Sequence, residues 1–218
     1  MAHNKKLTGM TSLILVALLF SGCGTRFFSG CPAPAPEPAQ SVVAPEKPAA
    51  AVIKSFPVFE LPMPQSEAEK SYLGLTGTGT FQITQIKAPV LLIEIFSFYC
   101  PYCQDSAPQV NEFYQLIQAR PELKEKIKLI GIGSSNSSFE VNSFREKYQV
   151  PFPLFPDQKM EIFKMLGARG TPTFIGVRVN DQGLQEQFYL GEGAGAFQNT
   201  SQFLNEIIKL SGIKAEVK

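Results

Sequence analysis

The chain of 218 residues has no tryptophan, one histidine and four cysteines. The histidine, His3, and two of the cysteines, Cys23 and Cys31, fall in the first 31 residues, which read as leader and linker rather than domain. A four-ligand zinc cage within the main body is therefore excluded, because structural zinc takes four Cys or His ligands and the body offers only Cys100 and Cys103. No metal site is expected there, and no cofactor. Charge of one sign is lacking as well: 20 Lys and Arg against 19 Asp and Glu leave a formal net charge of +1. Nothing in that balance points to nucleic acid or to an anionic membrane face. There is no internal repeat.

The N-terminus is organised as an export segment. Met1 to Gly22 reads as a secretory signal, with Lys5 and Lys6 as its basic start and Leu13 to Phe20 as its apolar core. That core is too short to span a bilayer comfortably. It ends in Phe20-Ser21-Gly22-Cys23, which resembles the lipobox of bacterial lipoproteins, with Phe20 where Leu is usual; this resemblance implies lipidation at Cys23. A near repeat, Phe28-Ser29-Gly30-Cys31, lies too far from the apolar core, and Cys31 is left without an assigned role. Residues 23–53 form a tether whose Pro-Ala-Glu-Gln-rich part, from Pro32 to about Ala51, favours polyproline conformations and lacks the apolar density to pack. At roughly 3.1 Å per residue it reaches several tens of ångströms from a membrane. The expected location is exported, on the periplasmic or extracytoplasmic face of a bacterial membrane, with the lipid as anchor.

Residues 54–218 are one domain's worth of chain. Their most informative stretch is Cys100-Pro101-Tyr102-Cys103, directly after the apolar run Val90 to Tyr99. A buried strand ending in C-x-x-C that then opens a helix places the first thiol beside unpaired N–H groups and the positive end of the helix dipole. Cys100 is accordingly the candidate nucleophile and Cys103, one turn further in, its resolving partner. Pro101 suits the first helical position, where its missing N–H costs nothing. A purely structural disulfide would close a very short loop and stabilise little. Glu94, in the middle of the apolar strand, could face outward or pair with Lys128; buried, it would be costly unless protonated or paired, and its pKa would rise.

The coarse element reading predicts strands over Phe56–Glu60, Val90–Phe98 and Lys128–Gly133, and a short strand or turn over Phe81–Ile86. Helices are predicted over a brief stretch opened by a capping box at Ser66 to Glu69, over Pro101 to about Gln118 with a kink at Pro108, over Phe139–Tyr148 and over Lys159–Leu166. Phe152–Phe155 is a short extended piece. Thr173–Val179 and Leu184–Leu190 form a hairpin around Asn180-Asp181-Gln182-Gly183, and Phe197–Leu210 closes the domain as a helix. This alternation is an α/β three-layer domain.

With Cys100-Pro101-Tyr102-Cys103 after the central strand and Gly170-Thr171-Pro172-Thr173 before the hairpin, the chain resembles the thioredoxin superfamily over nearly all of Phe56 to Ile213. More narrowly it resembles the membrane-anchored TlpA/ResA-like branch, since Phe139 to Leu166 supplies the helix and strand inserted there after the second core strand. The resemblance implies a cis bond before Pro172, which packs against the active-site cysteines, and a Thr171 backbone offered to bound peptide. It also implies that Glu94 is the buried proton acceptor for Cys103. Tyr99 stands where thioredoxins carry Trp; with Tyr102 it keeps the aromatic cover of the site, and both, together with Pro101, are expected to meet substrate. The Pro-Tyr dipeptide matches glutaredoxins, while Phe96 to Pro101 is more like DsbA-type oxidases, which have His in place of Tyr102. Lacking that cation, the pair should be less oxidising than DsbA and nearer the glutaredoxin range of about −200 to −230 mV.

The leading expectation is a tethered thiol:disulfide oxidoreductase acting on exported protein thiols and disulfides, fed by a membrane electron-transfer partner. Net reduction is slightly favoured, for example of haem-attachment cysteines. The alternatives are a DsbA-like oxidase of exported proteins and a copper or metal chaperone using Cys100 and Cys103 as soft ligands, with Met160 and Met165 as neighbours in space. A peroxidase would require the pattern P-x-x-x-[ST]-x-x-C, of which Ser97 fits and Ile93 does not.

Overall fold

In the computed structural model the strand leading to the cysteines, β4 (Val90–Phe96), is buried at all seven positions. A strand apolar on both faces must be covered on both, and it is most easily covered at the centre of a sheet. β4 runs parallel to β5 (Ile127–Ser134) and antiparallel to β7 (Thr173–Val179). Outside these lie β6 (Leu154–Asp157), parallel to β5, then β8 (Gln185–Glu192), antiparallel to β7, and β1 (Lys54–Ser55) on β8. The sheet order is β1-β8-β7-β4-β5-β6, and β2 (Glu60–Pro62) with β3 (Thr80–Gln82) makes a separate two-stranded ribbon. The described residues are 54–179, 185–193, 195 and 199–214. The leader 1–22, Cys23, Cys31, the tether 23–53 and the turn Asn180 to Gly183 lie outside them.

Alternation along β4 sorts the core into two layers. Val90, Leu92 and Phe96 join Cys103, Val110 and Phe113 of α2 (Pro101–Gln118), Phe144 of α4 (Ser138–Tyr148) and Leu204 of α6 (Thr200–Ser211). Leu91, Ile93 and Ile95 face the other way, toward Leu73 of α1 (Glu67–Leu73), Phe81 and Ile162 of α5 (Glu161–Met165). A short α3 (Pro121–Lys124) links α2 to β5. Each fully buried Leu, Ile or Phe contributes about 1.5–3 kcal/mol of transfer free energy, so both layers hold β4 in place. The result is the three-layer α/β domain with a thioredoxin-like sheet, and the inserted segment folds as α4, β6 and α5.

Several local expectations shift. Of Phe56–Glu60 only Glu60 lies in a strand, as the first residue of β2; residues 56–59 fall between the ladders at 54–55 and 60–62. Phe56 and Phe59 are instead buried core rings with centroids 6.1 Å apart, so their apolar character reports burial without a ladder. Ser66 is the N-cap of α1, but its side chain makes no capping hydrogen bond. Glu69, the box partner, is drawn off by Arg145 of α4 at 2.7 Å. The segment after β3 turns into a 3-10 helix at Ile83–Gln85. α5 starts only at Glu161, because Met160 is left-handed (φ 58°) and the Asp157 carboxylate accepts from the N–H groups of Glu161 and Phe163, both at 2.8 Å.

Candidate active site

β4 ends at Phe96, and the loop Ser97–Tyr99 delivers Cys100 to the N-cap of α2 with extended backbone (φ −83°, ψ 114°). Pro101 takes the first helical position. The Cys100 Sγ accepts the N–H of Cys103 at 3.3 Å and lies 3.2 Å from the Thr171 carbonyl, to which the thiol donates. Both thiols are free; Cys100 is half-buried and Cys103 wholly buried. Partial burial pushes the Cys100 thiol up. Hydrogen bonds with the side chains of Thr171 and Cys103, and with the N–H groups of Cys103 and Tyr102, outweigh that, leaving its pKa below that of an ordinary cysteine. Cys103 is shifted far upward, first by burial, then by its hydrogen bond with Cys100 and by the nearby charges of Glu94 and Cys100. A hydrogen bond from the Ser97 backbone opposes the rise. Cys100 therefore gives up its proton more readily than an ordinary cysteine, and Cys103 less readily.

Glu94 shares the parity of Val90, Leu92 and Phe96, so it points into the layer that holds Cys103. It is 2% exposed, its Oε1 has no hydrogen-bond partner among the described residues, and burial alone raises its pKa to about 8. Lys128 is no partner: it alternates onto the opposite layer, where its Nζ donates to the Lys124 carbonyl at 2.8 Å and meets Glu125 at 3.4 Å. A carboxyl with a pKa near the working pH, close enough to Cys103 to perturb it, can exchange a proton with that thiol.

The third wall is the segment before β7. The Thr171–Pro172 bond is cis, and the Pro172 carbonyl accepts the Gly193 N–H at 2.8 Å. Tyr99 and Tyr102 stand 64% and 63% exposed beside Cys100, as an aromatic rim rather than a lid. The Tyr99 hydroxyl donates to the Glu140 carboxylate of α4, which raises the Tyr99 pKa and lowers that of Glu140. Two clefts of about 570 and 540 Å³ lie elsewhere, along β2, α1, α4 and β6, and next to α5; neither is lined by these residues. Three neighbours of the site were not anticipated from sequence: Asn136, Gln104 and Glu140. Only Glu140 carried a signal, as the last member of a Ser137-x-x-Glu140 capping box that the structure forms.

The sheet order, the helix opened by Cys100 and the Thr171–Pro172 segment together define a thioredoxin-like domain. Residues 52–187 match the AhpC/TSA family, and the chain belongs to that family. Among curated relatives, the thiol-disulfide oxidoreductase ResA of Bacillus thuringiensis subsp. konkukian is 24% identical over 106 residues. That match spans 48% of this chain and 58% of the relative's length. The fold is shared with a hypothetical protein from Sinorhizobium meliloti 1021 (TM-score 0.56, 16% identity, 78% of this chain and 90% of that one). It is shared too with a Chlorobium tepidum protein provisionally described as a thiol:disulfide interchange protein, DsbE (TM-score 0.52, 14% identity, 73% and 99%).

Proposed function

We propose that the protein is a thiol:disulfide oxidoreductase that exchanges disulfides with exported protein substrates through Cys100 and Cys103. The observation that carries this reading is the asymmetry of the pair. A half-buried thiol with lowered pKa is capped by a helix N-terminus, and a buried thiol with raised pKa sits one turn behind it. In the reducing direction the Cys100 thiolate attacks a substrate disulfide, forming a mixed disulfide and expelling one substrate thiolate. Cys103 then gives its proton to the Glu94 carboxylate and attacks Cys100 Sγ, and the second substrate sulfur leaves with the electron pair. The substrate has gained two electrons, and Cys100–Cys103 is oxidised. Thr171, Pro172, Tyr99, Pro101 and Tyr102 border the nucleophile where an extended peptide would lie.

Net reduction is slightly favoured over net oxidation, as the resemblance to the TlpA/ResA-like branch implies. A membrane electron-transfer partner would then regenerate the dithiol, and the lipidated Cys23 with its tether would keep the domain at the extracytoplasmic membrane face. The test is catalytic reduction of insulin by dithiothreitol with and without the protein. Acceleration that disappears in Cys100→Ser supports the reading. Equal rates with wild type and Cys100→Ser would overturn it. Trapping a partner covalently on Cys103→Ser then identifies the substrate.

A further inference from the structure

The loop that joins β4 to Cys100 is held by residues that the exchange chemistry does not itself require. The Phe98 N–H donates to Asn136 Oδ1 at 2.7 Å, and the Phe98 carbonyl accepts from Gln104 Nε2, also at 2.7 Å. The two peptide units that flank the Phe98 Cα are thus gripped, one by the β5–α4 turn and the other by the first turns of α2. The next residue, Tyr99, is tied through its hydroxyl to Glu140, which caps α4 from the same turn. The preceding residue, Ser97, has its backbone at the Cys103 thiol and its carbonyl on the Cys100 N–H at 3.1 Å.

Asn136 is fully buried, and its Nδ2 makes no hydrogen bond among the described residues. The orientation of the amide is set by the Phe98 N–H, which only an oxygen can meet. Burying an amide with one half unsatisfied is costly. The acceptor half is therefore what the site uses. The Cys100 Sγ, by contrast, accepts from an N–H of α2 and donates to the Thr171 carbonyl, and neither bond passes through Phe98.

We propose that Asn136, seconded by Gln104, is a positioning residue for the resolving step: by clamping the Phe98 peptide it keeps the Ser97 backbone against Cys103 while that thiol attacks Cys100. This rests on the exchange function proposed above. In the step concerned, the Cys103–Cys100 bond forms, the Cys100–substrate S–S bond breaks, the substrate sulfur leaves with the electron pair, and the Cys103 proton passes to Glu94. The clamp serves that step and not the first attack.

The reduced full-length protein is mixed with oxidised glutathione and quenched on the millisecond-to-second scale. Mass spectrometry then gives separate rates for formation of the Cys100–glutathione disulfide and for its resolution, from pH 6 to 9. Asn136→Leu, which keeps the volume and removes the acceptor, slows resolution about tenfold, the cost of one buried hydrogen bond. The pH profile of Cys100 alkylation by iodoacetamide stays in place. Asn136→Asp, which keeps an oxygen facing the Phe98 N–H, recovers rate toward wild type. Gln104→Met, at a half-buried position, slows resolution in the same sense and decides the matter if Asn136→Leu does not fold. Unchanged resolution in the variants, equal slowing of attack and resolution, or Asn136→Asp as slow as Asn136→Leu would overturn the clamp. Wild type that never forms the mixed disulfide would overturn the exchange chemistry beneath it, a separate and visible outcome.

Discussion

Replacing Glu94 with Gln should change how the stability of the fold depends on pH, in a direction set by burial. Glu94 is wholly buried with its pKa raised from 4.5 to about 8. Between those values the unfolded chain has released the proton and the folded one retains it, so the slope of unfolding free energy with pH is negative. The contribution is fully present below the unfolded pKa and is lost as pH rises through the folded one. The slope is about 1.4 kcal/mol per pH unit, so wild type should lose roughly 3–4 kcal/mol between pH 5 and 8 that Glu94→Gln keeps. Above about pH 8 the two curves run parallel. The lowered pKa of Cys100 works with the opposite sign, but both proteins share it and it cancels in the difference. With no tryptophan in the chain, urea unfolding of the reduced proteins is best followed by far-ultraviolet circular dichroism at pH 5, 6, 7, 8 and 9. A constant gap between the curves would refute the raised pKa of a buried Glu94 carboxyl.

In the reduced protein, Cys100 should alkylate rapidly near neutral pH and Cys103 only slowly; peptide mapping after timed iodoacetamide pulses measures both, and faster reaction at Cys103 would reverse their roles. Gly131→Ala should destabilise by about 1–3 kcal/mol in urea melts, because its Cβ would sit 2.4 Å from Leu154 Cδ2 and 3.2 Å from a ring carbon of Phe96. Unaltered stability would mean that β5 and β6 separate freely there. Cys23→Ala should abolish fatty-acid labelling and Cys31→Ala should retain it; label persisting in the Cys23 variant would move the anchor to Cys31.

The parts of the fold that sequence conveys are those where one force acts alone. Val90 to Phe96 is an apolar run interrupted by Glu94 alone and followed closely by a proline-started helix, and burial on both faces leaves a central strand as its only comfortable home. Thr173–Val179 was legible to the residue because a β-branched and aromatic run lies between Pro172 and the turn letters Asn180 to Gly183. Phe56 and Phe59 misled because apolar letters report burial, and these rings are buried from irregular backbone. The letters of a capping box at Ser66 to Glu69 were present without its hydrogen bonds, since Arg145, 76 residues away, takes Glu69. The same letters at Ser137 to Glu140 do make the box. Local patterns cannot tell these cases apart, because the competitor is distant in the chain.

The site divides in the same way. Cys100 and Cys103 could be located by spacing, since strand and helix geometry relate them directly, whereas the role of Glu94 came from resemblance. Thr171 reaches Cys100 from 71 residues away and was found only through resemblance. Asn136 and Gln104 are polar letters in a turn and a helix, and nothing marks them until the Phe98 peptide is seen between them.

The central claim is that Cys100 and Cys103 form a reversible two-electron couple, and an equilibrium titration of the pair against glutathione tests it most directly. After acid quench and alkylation, mass spectrometry of the peptide holding both cysteines counts the Cys100–Cys103 disulfide at each poise. The account predicts one transition with a two-electron slope, near the glutaredoxin range of about −200 to −230 mV. Thiols that stay free across the whole titration, or that end only in separate glutathione adducts, would contradict it.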